Sequence, residues 1–333
     1  MELHTRFTEA YGLNTPIAQA GMAFVGMTPD LAVAVSNAGA LGSLGVGLLP
    51  APVLTQVIAG IRAGTSGPFH VNFITVFTSQ DQIDAVCEAA VAAVSFHWGH
   101  PPRAWIDQLH AAGIKVFEQI GSVAAAEQAV DDGVDVVVAQ GLEAGGHNFA
   151  TLPTFALVPL VVDAVAPTLV LAAGGIADGR GLAAALMLGA DGAWIGTRLV
   201  ATDESMAHDE YKARLIAAHA TDTVRTSLFG PETPDFNPMR VLRNRVVAEA
   251  PASGDRPVIG HTVLGGETVE LLRFSDLVPM RGATTGDFDE MPLLAGQGVG
   301  MIDAVKSAAS VIADLTAGAR EALDRYRLRA TAP

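Results

Sequence analysis

Short apolar runs alternate with amphipathic stretches along the first 200 residues of the chain. Eight runs rich in β-branched or small apolar residues cover 16–20, 40–45, 69–75, 92–96, 114–119, 134–140, 168–175 and 192–197. Between them, apolar residues recur every three or four positions, which is the spacing of a helix with one buried face. These stretches predict seven helices, at residues 28–39, 51–64, 79–91, 102–113, 122–133, 155–165 and 178–190. The pattern therefore predicts a repeating strand–helix unit.

Strands that are apolar along their whole length are typical of parallel sheets with both faces covered. Eight such units favour an α/β fold of the (β/α)8 type, the TIM barrel, in which chemistry lies at the carboxyl ends of the strands. An open, doubly wound sheet is the alternative. It accounts less well for eight similar units, so we predict the barrel.

The pattern changes after residue 200. An amphipathic helix is predicted at residues 203–219, and two segments rich in Pro, Gly and Asp follow it. A last helix, predicted at 301–328, is expected to pack back on the barrel. We therefore expect residues 1–204 and 301–333 to form the barrel and residues 205–300 to form a lid over its mouth.

Composition and charge argue against several classes of function. The chain has 333 residues and a formal net charge of -15 at pH 7, with no basic stripe, which argues against a nucleic-acid partner. Its single cysteine, Cys87, excludes an internal disulfide and is expected to pack inside a helix. The 9 histidines show no HExxH or similar spacing, so no metal is expected. Without a long apolar run or an apolar leader, a cytoplasmic protein outside the membrane is predicted.

Two glycine-containing turns follow the last two predicted strands, with the sequences AAGGIADG and WIGTRLVA. In barrels of this kind these turns commonly hold a phosphate group. Glycine lets backbone N–H groups approach an anion closely. Gly174 and Gly175 in the first turn, and Gly196 and Thr197 in the second, therefore predict a phosphate site. No Walker loop or GxGxxG motif is present to favour another nucleotide-binding fold.

Polar and small residues mark the ends of the other predicted strands. Carboxyl ends of the strands meet at one mouth of a barrel, so these side chains are expected to share a cavity. The amides of Asn72, Gln119 and Gln140 could bond a ring with alternating donors and acceptors, as an isoalloxazine has. Capping of strand ends is their alternative role. The rest of this rim consists of Gln19, Gly21, Met22, Ser95 and His97.

His147 follows the sixth predicted strand on the small-residue loop EAGGH. A histidine there can titrate near neutral pH and take a proton from a carbon acid, so we predict that it is the catalytic base. Its alternative role is to cap a helix or bond a loop carbonyl. Glu143 on the same loop is expected to be a solvated acid or a salt-bridge partner. His97 and His100 lie after the fourth strand, and His97 is a candidate contact to substrate or cofactor.

Five segments together resemble the nitronate monooxygenase family, formerly called 2-nitropropane dioxygenases, whose members are FMN-dependent TIM barrels. These segments are QAGMAFVGMTPDLAVAVSNAGALGSLG, VNFIT, QGLEAGGH, AAGGIADGRGLAAALMLGADG and GTRLVATDES. The resemblance covers roughly residues 5–215, with a weaker similarity in LLAGQGVGMID near the end. EAGGH combined with AAGGIADGRG is specific to this superfamily but less specific to one reaction. NADH:quinone reductases and flavin enoyl-ACP reductases share the scaffold.

The resemblance implies a bound FMN, with His147 as the catalytic base. The cofactor-binding residues it implies are Gly21, Met22, Asn72, Gln119, Gln140, Gly145, Gly146, Ala173, Gly174, Gly175, Gly196 and Thr197. The last five of these surround the phosphate or flank it, and the others contact the flavin ring or the ribityl chain. His97 and Gln297 are the candidate substrate contacts.

Members of this family oxidise alkyl nitronates with O2 to a carbonyl compound and nitrite, without NAD(P)H. The implied partners are therefore a small nitronate and O2, and the implied assembly is a monomer or a homodimer. An NADH-dependent quinone or enoyl reductase is the alternative function, and a barrel that only binds a phosphorylated metabolite is a third. The chain departs from the family pattern at Asn148, where a basic or small residue is more usual, and in its lid. These departures leave the substrate open.

Overall fold

A closed barrel of eight parallel strands forms the centre of the computed structural model, which describes residues 3–249 and 255–330. The parallel pairing of Ala18 with Leu41 joins the first strand to the second and closes the ring. In chain order the barrel strands are Ile17–Gln19, Gly42–Gly45, Phe69–Ile74, Ala93–His97, Lys115–Ile120, Val136–Gln140, Leu169–Ala173 and Gly192–Ile195. Each overlaps a predicted run, so the (β/α)8 barrel is confirmed over the open sheet.

Helices cover the outside of the barrel, and all seven that the spacing predicts are present. Ser122 and Asp178 begin two of them, because their side-chain oxygens accept hydrogen bonds from backbone N–H groups of the first turn. The helices are Arg6–Tyr11, Pro29–Asn37, Ala51–Gly64, Gln80–Ala89, Arg103–Ala111, Val123–Asp131, Thr154–Val165, Gly179–Met187, Thr197–Val200, Asp209–Ala217, Arg245–Ala248 and Ala308–Ala330. Cys87 is half-buried in one of them and packs against the core, as expected.

Two helices in the second half of the chain begin later than the pattern indicates. The helix predicted at 203–219 begins at Asp209, where the His208 ring accepts from a first-turn N–H. The closing helix begins at Ala308 rather than at residue 301, because the Ser307 hydroxyl accepts from the N–H of Ser310. Polar caps, rather than apolar periodicity, therefore set both starting points.

Alternation along the strands decides which side chains enter the barrel. In the fifth strand Phe117 packs in the inner cluster, whereas Val116 and Ile120 pack outward against the helices. Gln119 and Gln140 share the inner parity of their strands and lie near the carboxyl ends. Their amides therefore emerge at the mouth of the barrel, above an apolar interior. Phe7, on a first helix that the pattern did not predict, fills the opposite end.

The seam between the first and second strands is closed partly by a side chain. Gln19 is fully buried, and its Nε2 donates to the Ser43 carbonyl at 2.9 Å while its Oε1 accepts from the Ser43 N–H at 3.1 Å. This amide supplies bonds that a longer strand ladder would otherwise make. Gln19 was expected on the polar rim, but its polar atoms serve the closure of the barrel.

Two small antiparallel sheets lie in the segment predicted to be a lid. In the first, Thr223–Thr226 and Met239–Leu242 pair, and the second of these also pairs with Gly146–His147 of the barrel loop. The other contains Val258–Leu264, Glu267–Leu272 and Thr284–Gly286. The division at residues 204 and 301 stays a prediction. Residues 1–2, 250–254 and 331–333, which fall within its parts, lie outside the described residues.

Neither a membrane-spanning helix nor a metal cluster is found in the described part of the chain. No helix there combines the length and the apolar character needed to cross a bilayer. Within the same residues, no three His, Cys, Asp or Glu side chains are grouped so that they could hold a metal ion.

Candidate active site

A cavity of about 380 Å³ lies between the carboxyl ends of the barrel strands and residues 205–300. The predicted site residues that line it are Gly21, Met22, Asn72, His97, Gln119, Gln140, Gly145, Gly146, His147, Ala173, Gly174, Gly175, Gly196 and Thr197. Gln297 does not line it. Its side chain is exposed, and its backbone N–H donates to the Glu143 carbonyl at 2.9 Å. The parallel strand ends therefore bring together residues that lie far apart in the sequence.

Backbone N–H groups, rather than cationic side chains, face one end of this cavity. Gly175 has a φ of 72°, a left-handed conformation that favours glycine, and it turns the chain after the seventh barrel strand. Within the described ranges, the N–H groups of Gly175, Gly196 and Thr197 have no acceptor. The Thr197 hydroxyl accepts from the Gly296 N–H at 3.0 Å, so its own proton is free to be donated. No Lys or Arg is among the described residues that line the cavity.

A chain of hydrogen bonds beneath the cavity fixes Asn72. Burial lowers the pKa of His70 to about 4, so its imidazole is neutral at pH 7. Its Nε2–H then donates to the Gln19 carbonyl at 2.9 Å, and its Nδ1 accepts from the Ser95 hydroxyl at 3.0 Å. Ser95 Oγ in turn accepts from Asn72 Nδ2 at 2.8 Å. The amide nitrogen of Asn72 is thus hydrogen-bonded to Ser95 beneath the cavity, and its side-chain oxygen remains available to a molecule in the cavity.

His70 was not identified from the sequence, although a signal for it exists. His70 and Asn72 are two positions apart in one strand, so their side chains leave the same face. Once Asn72 is placed at the mouth, His70 must lie one layer deeper in the barrel.

The imidazole of His147 is held by Phe236, which lies in the segment predicted to be a lid. Burial lowers the pKa of His147 to about 4, although its hydrogen bond to the backbone of Phe236 acts in the opposite direction. The ring is therefore neutral at pH 7, and its Nδ1–H donates to the Phe236 carbonyl at 2.5 Å. The Phe236 ring stacks on it with centroids 3.5 Å apart. This arrangement leaves the Nε2 lone pair without a protein partner among the described residues.

Two polar side chains brace the EAGGH loop. Asn148 is fully buried, and its Nδ2 donates to the carbonyls of Gly141 and Ala144 at 3.0 and 3.2 Å. Glu143 was expected to be a solvated acid or a salt-bridge partner. Its Oε2 instead accepts from the backbone N–H and the hydroxyl of Thr154 at 2.8 and 2.9 Å, and so caps the next helix.

The histidines after the fourth strand have separate environments. Gln119 Nε2 donates to His97 Nδ1 at 2.8 Å, and burial together with the neighbouring His147 lowers the pKa of His97 to about 3. His97 lines the cavity as a neutral ring. His100 does not line it, and its Nδ1 lies 2.7 Å from Oε1 of Glu118. Burial raises the pKa of Glu118 to about 8.

Two buried polar atoms in the cavity wall have no partner in the described part of the protein. They are Oε1 of Gln140, an acceptor, and Nε1 of Trp194, a donor. Buried polar atoms are nearly always hydrogen-bonded, so this pair indicates a bound molecule with both donors and acceptors. A flavin ring has both. At Gly21 an added Cβ would lie 1.9 Å from Asn72 Cγ, so only bare backbone fits at this wall. These residues fit a flavin.

Phe236 and Trp194 were not identified from the sequence. Phe236 lies 89 positions from His147, and no local pattern indicates a contact over that distance. Trp194 does have a signal, because it lies near the carboxyl end of the eighth predicted strand, just before Gly196.

Several known proteins are similar to this chain in sequence or in structure. The family model for nitronate monooxygenase matches residues 4–85 and 73–318. Over 323 residues the chain is 33% identical to a probable nitronate monooxygenase of Staphylococcus saprophyticus, and the match covers 77% of this chain and 90% of that protein. Nitroalkane oxidase from Streptomyces ansochromogenes has a similar structure, with a TM-score of 0.79 at 27% identity, covering 96% of this chain and 99% of that one.

A further relative carries a different name. The chain is 38% identical over 259 residues to (3aS,4S,5R,7aS)-5-hydroxy-7a-methyl-1-oxo-octahydro-1H-indene-4-carboxyl-CoA dehydrogenase of Mycobacterium tuberculosis. This match covers 77% of the chain and 70% of that protein. One scaffold therefore serves more than one oxidation.

The buried histidines predict a pH-dependent free energy of unfolding. The pKa of each is lowered from 6.5 to about 4 for His70 and His147 and to about 3 for His97. Below pH 6.5 the unfolded chain binds more protons than the folded one, so we expect stability to fall as the pH drops from 6.5 toward 4. In urea denaturation across this range, the free energy of unfolding should fall by more than about 1.4 kcal/mol per pH unit, which is the slope for the uptake of one proton.

Glu118 acts with the opposite sign, because its pKa is raised from 4.5 to about 8 and it costs stability as the pH rises between these values. The measurement is therefore best made in a Glu118→Gln background. There His70→Asn should reduce the slope, whereas His261→Asn, at an exposed position on a lid strand, should leave it unchanged. A flat profile between pH 6.5 and 4.5 would show that the buried histidines are charged in the folded protein.

Proposed function

The chain belongs to the nitronate monooxygenase family, and we propose that it binds FMN and uses O2 to oxidise alkyl nitronates or nitroalkanes to a carbonyl compound and nitrite. Membership of this family makes the chain an oxidoreductase, gives it oxidation of nitronates or nitroalkanes as its general activity, and implies a flavoprotein. The observation that carries the finer proposal is the neutral imidazole of His147, which lines the same cavity as the unpaired N–H groups of Gly175 and Gly196.

The residues at hand divide into a phosphate end and a ring end. Gly174, Gly175, Gly196 and Thr197 would hold the phosphate through N–H groups and a hydroxyl, with Ala173 beside them. At the ring end, amide groups would bond the polar edge of the flavin, and bare backbone would pack against its faces. These ring-end residues are Gly21, Met22, Asn72, Gln119, Gln140, Gly145 and Gly146.

His147 would act on the carbon acid. When bound, the flavin supplies the redox chemistry that moves electrons from the nitronate to O2. Nε2 of His147 accepts the α-proton of a neutral nitroalkane, and the Phe236 carbonyl stabilises the resulting imidazolium through Nδ1–H. A substrate that arrives as the nitronate has already lost this proton, so His147 then only orients the anion. Phe236, Leu277 and Val278 line the cavity as apolar wall.

An NADH-dependent quinone or enoyl reductase is the second candidate, and the name of the Mycobacterium tuberculosis relative, a carboxyl-CoA dehydrogenase, also points to a substrate other than a nitronate. The charge of the cavity opposes it. NADH and CoA each carry several phosphate charges, whereas Asp276 is the only acid and no residue is Lys or Arg among the described residues of the wall. The backbone N–H groups suffice for one phosphate group, and FMN has one.

Mixing under anaerobic conditions tests the function directly. We expect the purified protein to be yellow and to lose its visible flavin absorbance rapidly with ethyl nitronate but not with NADH. Rapid bleaching by NADH alone would favour the reductase. Colourless protein that still binds a sugar phosphate would favour a barrel that only binds a phosphorylated metabolite.

Substitution of the base should separate two kinds of substrate. His147→Asn should keep FMN bound but lower the turnover of neutral nitroethane on the order of 100-fold, because one general base is removed. Turnover of preformed ethyl nitronate should fall much less. His100→Asn, outside the cavity, is the matched control for steady-state assays. Unchanged nitroethane turnover in His147→Asn would remove His147 from the mechanism.

Removal of the Thr197 hydroxyl should weaken the cofactor complex. In fluorescence titrations, Thr197→Ala should raise the Kd for FMN about 10-fold, since one hydroxyl contact contributes about 1 to 2 kcal/mol. Thr197→Ser keeps the hydroxyl and should restore most of the affinity. If the alanine variant binds FMN as tightly as the wild type, the phosphate is held elsewhere.

A further inference from the structure

Trp98 lies at the centre of an aromatic cluster around His147. It follows the fourth barrel strand, is 9% exposed, and meets four rings nearly edge-on, one of them the neighbouring His97 ring at 5.6 Å. The centroid distances are 4.9 Å to Phe149, 5.1 Å to Phe236 and 5.8 Å to His147, at interplanar angles of 74°, 82° and 76°. The indole therefore contacts both the predicted base and the lid residue stacked on it.

The backbone of Trp98 is strained. Its φ is 68°, in the left-handed region, which is unfavourable for a residue with a side chain. Such a conformation persists only where surrounding contacts fix it, and it tends to occur at functional sites. The glycine that follows, Gly99, also has a positive φ, of 100°.

One hydrogen bond links this indole to the lid. Nε1–H of Trp98 donates to the Asp235 carbonyl at 2.8 Å. Asp235 and Phe236 are consecutive in the short 3-10 helix Pro234–Phe236. The next carbonyl along the chain, that of Phe236, is the one that accepts from Nδ1 of His147. The barrel loop and the imidazole are therefore bonded to adjacent peptide groups of one short turn.

We propose that Trp98 is a positioning residue, which holds the turn 234–236 so that the Phe236 carbonyl fixes His147 as the Nδ1–H tautomer. A neutral imidazole has two tautomers, and only this one leaves the Nε2 lone pair for the cavity. If the turn shifts, Nε2 can carry the proton instead, and the ring then has no acceptor facing the substrate. The effect on catalysis rests on the proposed function of His147 as the base. The assignment of its tautomer does not depend on that function.

Trp98→Phe tests this inference, because it keeps an aromatic ring and removes the N–H. In the FMN-loaded protein, 15N NMR of the imidazole, assigned by comparison with His147→Asn, should show the Nδ1–H tautomer in the wild type and a mixture in the variant. Turnover of nitroethane should fall about 10-fold, since the base is misplaced in part of the population. Turnover of preformed ethyl nitronate should change less than 2-fold.

The pH profile separates positioning from loss of stability. The hydrogen bond to Phe236 raises the pKa of His147, so its weakening should move the acid limb of kcat/KM for nitroethane to lower pH. A variant that is only less stable would keep the limb where it is. The matched control is Trp105→Phe, which removes an indole N–H that donates to Gln80 Oε1 at 2.9 Å on an outer helix. It should match the wild type in every measurement.

The outcomes are distinct. A single Nδ1–H tautomer in Trp98→Phe, with an unchanged ratio of the two turnover rates, would overturn the positioning role. Absence of nitroethane and nitronate turnover in the wild type would instead contradict the proposed function, and the tautomer comparison would still decide the role of Trp98. If Trp98→Phe does not fold, Trp98→Met gives the same test, because methionine fills irregular buried space and has no N–H.

Discussion

A short antiparallel pairing between the barrel and the lid determines the geometry of the site. Gly146 and His147 pair with Arg240 and Met239, and the next residue of the loop donates its N–H to the Pro238 carbonyl at 2.9 Å. Arg240 also donates to the Leu142 carbonyl at 3.0 Å. The loop that carries His147 thus pairs as a strand with residues 239–240 and also connects two elements of the barrel. Its position depends on both parts of the chain.

The electrostatics of the site follow from this enclosure. Burial lowers the pKa of His147, of His97 and of His70 below them, so each imidazole is neutral at pH 7 and each proton position is set by a neighbouring carbonyl, hydroxyl or amide. Among the residues that the structure describes, N–H groups without an acceptor then provide the positive end of the cavity, and no cationic side chain lines it. Such a site favours one localised negative charge and gives little compensation to a highly charged ligand.

The barrel and most of the site could be predicted because both depend on local periodicity. Alternation along each strand sorts inner from outer side chains, and parallel strands bring all carboxyl ends to one mouth, so Asn72, Gln119 and Gln140 could be placed without knowing the lid. What escaped prediction depends on bonds between distant segments. Gln19 closes a seam, Glu143 caps a helix, and Phe236 holds the His147 ring, and none of these roles leaves a signal within its own segment.

The contact between Gly145 and Gly296 has a consequence for variation among related sequences. A Cβ on Gly145 would lie 2.4 Å from the backbone nitrogen of Gly296, and one on Gly296 would lie 2.8 Å from the backbone carbonyl oxygen of Glu143. The two loops therefore meet backbone to backbone. Neither position can gain a side chain while the other loop stays where it is. Homologues with a larger residue at one site must therefore carry a compensating displacement at the other. The two positions constrain each other's evolution as a linked pair.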